Sequence, residues 1–172
     1  MDIVDSLVRI KESQIMNENT GKLKNTIEGY SKKLTKLGSI LAKNQFSYKI
    51  EEESSKKYWQ KRIEYFKKYN ETGLAYYNQV QNMMNLIDKD KGQLFLLDIS
   101  KFHQLGIKLI KIMEKIEETP SIIDSKDKQQ SHWSKEIKKE ISETSMECLD
   151  HEKYMNISFR EFYDTHVKKI LE

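Results

Sequence analysis

Apolar residues recur along most of the chain in alternating steps of four and three residues, the spacing of one stripe on an α-helix. Three regular stripes occupy 23–48, 59–87 and 95–116, and a less regular one lies within 133–170. This heptad spacing is typical of helices that pack along a narrow seam. The pattern therefore predicts an all-α protein, either an elongated antiparallel helical hairpin or a coiled-coil bundle.

Turn and linker signals divide the stripes into parts. We expect a short N-terminal amphipathic helix, 1–19, and an elongated helical hairpin, 20–172. The sequence Asp-Lys-Asp-Lys-Gly is the strongest turn signal, and the only proline marks a linker. One long helix then packs antiparallel against two shorter ones. The parts of the hairpin are the outgoing arm, 20–88, the returning helices, 93–118 and 131–172, and the linker, 119–130.

The heptad spacing falters across 51–55, and two interpretations follow. In the first, the outgoing arm is a continuous or merely kinked helix of about 100 Å, at about 1.5 Å per residue. In the second, this stretch is a loop, Ser54 or Ser55 caps a new helix, and the chain forms a four-helix bundle. We favour the continuous arm because glutamate and serine are compatible with a helix.

A turn centred near residue 91 would set the pairing between the outgoing arm and the first returning helix. Gly106 would then face Tyr76, and Gly73 would face Leu109, so that small residues lie opposite large ones. The arm also carries more large side chains than one seam can hold. We expect a third helix or another chain to cover this surplus, which comprises Tyr65, Tyr69, Tyr76, Tyr77, Met83 and Met84.

Composition and charge agree with a helical protein and argue against a secreted disulfide-bonded protein and a membrane-spanning protein. Hydrophobic residues make up 37% of the chain and charged residues 33%, and the net charge is only +3. The arm, 20–88, holds 13 basic and 7 acidic residues, whereas 120–172 holds 9 basic and 11 acidic residues. The single cysteine excludes an internal disulfide. No export signal or membrane-length apolar run is visible, so we expect a cytoplasmic location, with cytoskeletal or peripheral membrane sites as alternatives.

A search for catalytic chemistry finds no convincing group. No two of the four histidines lie four residues apart, and no phosphate-binding loop is present. The cluster Asp150, His151 and Glu152 would point in different directions on a helix, so we interpret it as solvated side chains. Cys148 lacks a neighbouring base, so we interpret it as a buried structural thiol. We therefore predict no catalytic, cofactor-binding or metal-binding residues, and a protein that is not an enzyme.

A run of basic and aromatic residues within 56–69 is the best candidate for a binding site. Such a run can hold single-stranded nucleic acid when several rings share an open surface. On a helix these rings more readily join the core or meet a partner, so we disfavour nucleic acid. The candidate contacts to a partner or an anionic surface are Lys56, Lys57, Tyr58, Lys61, Arg62, Tyr65, Lys67, Lys68 and Tyr69.

These observations predict a non-enzymatic structural or adaptor subunit of a multiprotein assembly. Its long helical arm would act as a spacer and a docking surface, through contact with a protein partner or self-association by its helical stripes. One alternative is a dimeric protein that binds anionic membranes, because BAR domains resemble this chain in pairing long helices that carry a basic face. The other alternative is a protein associated with cytoskeletal filaments or microtubules.

Overall fold

The computed structural model describes residues 3–51, 55–123 and 131–172, with the side chains of 18–51, 55–123 and 134–172. These residues form an all-α helical bundle without strands, so the predicted class is confirmed, while the coiled-coil detail stays a prediction. The elements in chain order are α1 (Ile3–Lys43), α2 (Lys56–Ile87), α3 (Lys89–Glu118), a 3₁₀ turn (Pro120–Ile123), α4 (Ser131–Phe162), a π-helical segment (Tyr163–Val167) and α5 (Lys168–Leu171).

The predicted stripes form the core of the bundle. Every stripe residue of α2 from Trp59 to Met84 is buried, and so is every stripe residue of α3 from Phe95 to Ile116. Full burial of a large apolar side chain stabilises a fold by about 1.5–3 kcal/mol, so these stripes account for much of the stability. The apolar side chains expected on the N-terminal helix, and that of Trp133, lie outside the described residues.

The expectation of one continuous arm over 20–88 is wrong. Helix α1 continues past residue 19, where we expected the N-terminal helix to end, and itself ends at Lys43. Helix α2 begins at Lys56, and the Ser55 hydroxyl caps it by accepting a hydrogen bond from the Tyr58 amide at 3.4 Å. The loop interpretation is therefore correct, although the connection begins earlier than 51–55. The division into 1–19 and 20–172 as separate units stays a prediction.

Contacts with α2 stabilise the non-helical backbone of the connection between α1 and α2. The Phe46 ring packs 4.8 Å from the Phe66 ring, measured between centroids. The Arg62 guanidinium donates hydrogen bonds to the carbonyls of Ser47 at 2.9 Å and Lys49 at 3.0 Å. These contacts satisfy backbone groups that a continuous helix would have paired internally.

Helices α2 and α3 meet at a single residue, Asp88, which is both the C-cap of α2 and the N-cap of α3. Its carboxylate accepts a hydrogen bond from the Lys91 amide at 3.1 Å. Because the turn centres there and not near residue 91, the predicted pairing is shifted. Gly106 faces Asn70, and Gly73 faces Phe102. Small residues still lie opposite larger ones, but the partners that we expected for both glycines are wrong.

Neighbouring helices cover most of the surplus aromatic and methionine side chains of α2. Four of the six are buried, and half-buried Tyr76 packs edge-to-face against Phe159 of α4 with 6.4 Å between centroids. The Tyr77 hydroxyl donates to Asn156 Oδ1 of α4 at 3.1 Å. Tyr65 alone among the six stays largely exposed, at 66%. We expected either a third helix or another chain to cover these side chains. Neighbouring helices of the same chain cover five of the six.

Candidate functional site

The nine predicted site residues all lie on α2, but they point in several directions. Tyr69 is buried in the core and is not available to a partner. Lys56 and Lys67 turn towards α3, where their ammonium groups lie 3.4 Å from Glu117 and 3.1 Å from Glu114. The structure therefore separates these three side chains from the rest of the predicted set.

Four of the other predicted residues line a cleft of about 400 Å³ between α2 and the connection that follows α1. Lys57 and Lys68 are exposed on the same helix, before and after these four residues, and do not line the cleft. We call the cleft the basic cleft. It is lined by Lys43, Asn44, Gln45, Phe46, Ser47, Tyr58, Lys61, Arg62 and Tyr65.

All charged side chains that line the basic cleft among the described residues are cations. Three cationic side chains line it, and no carboxylate lines it among the described residues. Arg62 is partly committed to the fold, because its guanidinium lies 4.7 Å from the Phe46 ring centroid and binds two backbone carbonyls. Lys43 and Lys61 are exposed. They are thus the cations best placed to meet an acidic ligand, while Arg62 holds one wall in position.

Two tyrosines give the basic cleft an apolar component. The Tyr58 ring packs edge-to-face on the fully buried Trp59 with 5.3 Å between centroids, so it is fixed in place. The Tyr58 hydroxyl also accepts a hydrogen bond from Arg62 Nη1 at 3.4 Å. Tyr65 projects into solvent at the cleft margin. Amphipathic rings beside lysines suit a ligand that combines carboxylates with apolar side chains.

A polar network behind the cleft fixes the connection to the bundle. Glu152 of α4 accepts hydrogen bonds from the Tyr48 hydroxyl at 3.1 Å and from the Tyr69 hydroxyl. Burial raises the pKa of Glu152, whereas the two hydroxyl groups lower it. Burial also raises the pKa of both tyrosines, which keeps their hydroxyls protonated as donors. One carboxylate therefore joins α4, α2 and the connection that forms the cleft.

The interpretation of Asp150, His151 and Glu152 as solvated side chains is wrong for two of the three. Asp150 is exposed. His151 Nε2 lies 2.9 Å from the Asp98 carbonyl oxygen, and Glu152 is held in the tyrosine network. Among the described residues, no group of three or more histidines, cysteines or acidic residues is arranged to hold a metal ion.

Cys148 lies in the core, where burial and the nearby Glu147 and Glu152 carboxylates raise its pKa to about 12. Since the thiolate is the reactive form, the native thiol should be inert at pH 8. We expect no reaction with an aromatic disulfide reagent over an hour, and one thiol per chain in denaturant, measured by absorbance of the released thiolate. Rapid reaction of the native protein would contradict this placement.

Sequence reasoning missed the half of the basic cleft that lies outside α2. Lys43, Phe46 and Ser47 belong to the end of α1 and the connection, which we interpreted as part of a continuous arm. A signal was available, because Phe46 lies off the heptad positions of its stripe. The network at Glu152 had no local signal, since its tyrosine partners are 104 and 83 residues away in the chain.

The fold and the site together define an all-α helical bundle with a basic, aromatic-lined cleft. No protein family, curated protein or solved structure matches the chain. Within the part of the chain that the structure describes, none of the helices combines the length and the apolar character needed to cross a membrane.

Proposed function

We propose that this protein is a non-enzymatic adaptor subunit of a multiprotein assembly, and that it binds an acidic segment of a partner protein in the basic cleft. The observation that carries the proposal is the lining of the cleft, with three cations, two tyrosines and no carboxylate among the described residues. Complementary charge steers such partners and favours them over basic competitors.

The shape of the site supports a protein segment as the ligand. A concave cleft of about 400 Å³ has room for a few side chains of a bound peptide, whereas membranes and filament lattices offer broad surfaces. Lys56 and Lys67 are paired with glutamates of α3, which shortens the basic stripe that a flat anionic surface would need. Tyr65 is the one strongly exposed ring of the cleft, which leaves little surface for stacking successive bases.

The proposal depends on docking and not on a long spacer. Helix α1 has 41 residues, or about 62 Å at about 1.5 Å per residue, and α2 has 32 residues, or about 48 Å. The arm of about 100 Å is interrupted by the connection. The adaptor role proposed here therefore resides in a site formed by the connection and α2.

Reversing the charge of Lys61 should weaken binding of an acidic peptide by about tenfold, because it replaces an attraction inside the cleft by a repulsion. The probe is a fluorescein-labelled peptide of about twelve residues in which glutamates alternate with alanines around one phenylalanine. Fluorescence anisotropy gives the dissociation constants of the wild type and of Lys61→Glu at physiological salt.

The matched control is Lys89→Glu, which makes the same charge change at an exposed position at the start of α3, about 40 Å from Lys61 along α2. We expect this control to bind the peptide within about twofold of the wild type, because exposed charges beyond a Debye length are largely screened. Equal losses for both variants would show non-specific attraction and overturn the proposal. Binding to phosphatidylserine vesicles without binding to the peptide would favour the membrane alternative instead.

A further inference from the structure

A second surface, remote from the basic cleft, exposes several large apolar side chains. Leu94 and Leu97 of α3 are each 66% exposed, and Tyr154 and Ile157 of α4 are 55% and 57% exposed. Leu94 and Tyr154 line one groove between the two helices. Leu97 lies one turn beyond Leu94 on α3, and Ile157 lies one turn beyond Tyr154 on α4. We call this surface the α3–α4 face. Large apolar side chains exposed together on neighbouring helices are a feature of surfaces that bind a partner.

The two helices of the α3–α4 face carry opposite charge. Lysines predominate on the α3 side, at positions 91, 101 and 108, although Asp98 lies among them. Carboxylates predominate on the α4 side, at positions 143, 147, 150 and 161, although Lys153 lies beside Asp150. The face is therefore basic on its α3 side and acidic on its α4 side. The two sides meet at the groove between the helices, where Lys101 and Lys108 also lie 2.9 Å and 4.0 Å from Glu147 of the same chain.

Contacts between α3 and α4 fix which residues lie at the same height along the bundle. Lys101 Nζ lies 2.9 Å from Glu147 Oε1, and the Asp98 carbonyl lies 2.9 Å from His151. Extending this antiparallel register by residue number places Lys91 within about one helical turn of the height of Glu161. The same register places Leu94 at the height of Tyr154 and Leu97 at the height of His151, and Ile157 lies within one helical turn of the height of Leu94.

We propose that the α3–α4 face binds the same face of a second copy of the chain, through a twofold axis that runs parallel to the helices. Rotation about such an axis places α3 of each copy over α4 of the other and leaves all heights unchanged. The basic side of each copy then faces the acidic side of the other, and the leucines of one copy meet Tyr154 and Ile157 of the other. The interface is isologous, and it is self-complementary in both charge and apolar character.

The size of the α3–α4 face is sufficient for a reversible dimer. Its residues run over 91–108 of α3, or about 27 Å at about 1.5 Å per residue, and two adjacent helices are about 20 Å wide. The face therefore offers about 540 Å² per copy, or about 1,100 Å² for both copies, above the roughly 1,000 Å² expected of a specific interface. This inference goes beyond the proposed function, because the α3–α4 face and the basic cleft share no residues.

Sedimentation equilibrium at protein concentrations from about 1 to 100 µM tests the proposal. We expect a reversible dimer that Leu97→Lys weakens by about thirtyfold, because each dimer loses two leucine contacts and gains two charges at an apolar site. The control is Leu96→Lys on the same helix, since Leu96 is 40% exposed and lies about 100° around the helix from Leu97. Circular dichroism checks that both variants stay folded, and Leu96→Lys should dimerise as the wild type does.

A charge-reversal pair tests the orientation of the two copies. Lys91→Glu and Glu161→Lys should each weaken the dimer by about tenfold, because each places like charges at both symmetric contacts. An equimolar mixture of the two variants should form a heterodimer, since both contacts between the unlike chains again join opposite charges. A protein that stays monomeric to 100 µM, a dimer that Leu97→Lys leaves intact, or a mixture that fails to pair would each overturn the proposal.

Discussion

Replacing Glu152 with alanine is expected to lower the free energy of unfolding by about 3 kcal/mol. The carboxylate is the acceptor for the hydroxyls of Tyr48 and Tyr69, which both belong to buried side chains. A buried donor without an acceptor costs about 1–3 kcal/mol, and the substitution leaves two. Chemical denaturation at pH 7, followed by far-ultraviolet circular dichroism, measures the loss. A loss below about 1 kcal/mol would show that this network does not hold the connection to the bundle.

Glutamine at position 152 separates the role of the charge from the role of the hydrogen bonds. Because burial raises the pKa of Glu152 above its ordinary value of 4.5, the folded protein binds the proton more tightly than the unfolded chain does. The stabilisation from this group is complete below pH 4.5 and is lost as the pH rises through the folded pKa. Glu152→Gln should therefore gain stability relative to the wild type as the pH rises from 4 to 7. Parallel stability curves for the two proteins would contradict the raised pKa.

Replacing Gly92 with alanine is expected to cost about 2–3 kcal/mol, the second large effect. A methyl group at this position would lie 2.8 Å from the Asn85 backbone nitrogen and would clash with the Asn85 side-chain oxygen. The backbone has little freedom to retreat, because α2 and α3 are joined by Asp88 alone. Overpacking of a close contact typically costs about 1–3 kcal/mol. Thermal and chemical denaturation of the variant measure the loss.

Gly29→Ala is the matched control, because it makes the same substitution in a helix where nothing lies within 4 Å of the added carbon. Alanine has the higher helix propensity, so this variant should gain about 0.5–1 kcal/mol. If Gly92→Ala lowers the free energy of unfolding and Gly29→Ala raises it, the loss at Gly92 comes from the tight turn. Equal changes would show that the close approach of α3 to Asn85 does not matter for stability.

The sequence predicted the helical core well because a helix buries residues according to local spacing. The stripe from Trp59 to Met84 and the stripe from Phe95 to Ile116 are buried as their heptad positions indicate. The turn at Asp88 was located to within about three residues. The pairing of Gly106 and Gly73 was still wrong, because that small displacement shifts every contact between two antiparallel helices.

The sequence did not decide between a kinked helix and a loop after α1, because the stability of the connection comes from distant residues. The backbone of Ser47 and Lys49 depends on Arg62, and Tyr48 depends on Glu152 of α4. Neither dependence leaves a periodic signal in the local sequence. The glutamates and serines of 51–55 are compatible with a helix, so local propensity favoured the wrong alternative.

Only the α2 part of the basic cleft was predicted, because helical spacing is a local signal and the rest of the site depends on distant residues. Tyr58, Lys61, Arg62 and Tyr65 line the basic cleft, and their recurrence on one region of α2 follows from helical spacing. Spacing alone did not reveal that Tyr69 reaches Glu152 in the core. The distinction between cleft residues and core residues depends on the positions of α3 and α4, which only the tertiary structure supplies.

The basic cleft and the apolar groove of the α3–α4 face lie at different levels of the bundle. Tyr65 lines the cleft and Met84 lines the groove, and their separation of 19 positions on α2 corresponds to about 28 Å. A dimer formed through the α3–α4 face presents two basic clefts, one in each copy. A partner with two acidic segments would then bind with avidity, provided that its linker spans the two clefts.

Two-dimensional NMR of the amide groups during titration with the glutamate-rich peptide tests most directly whether the basic cleft binds an acidic segment of a partner. We predict saturable shifts concentrated at 43–47 and 58–65, with the amides of the α3–α4 face unchanged. Shifts centred on another surface, or no shifts at millimolar peptide, would contradict it.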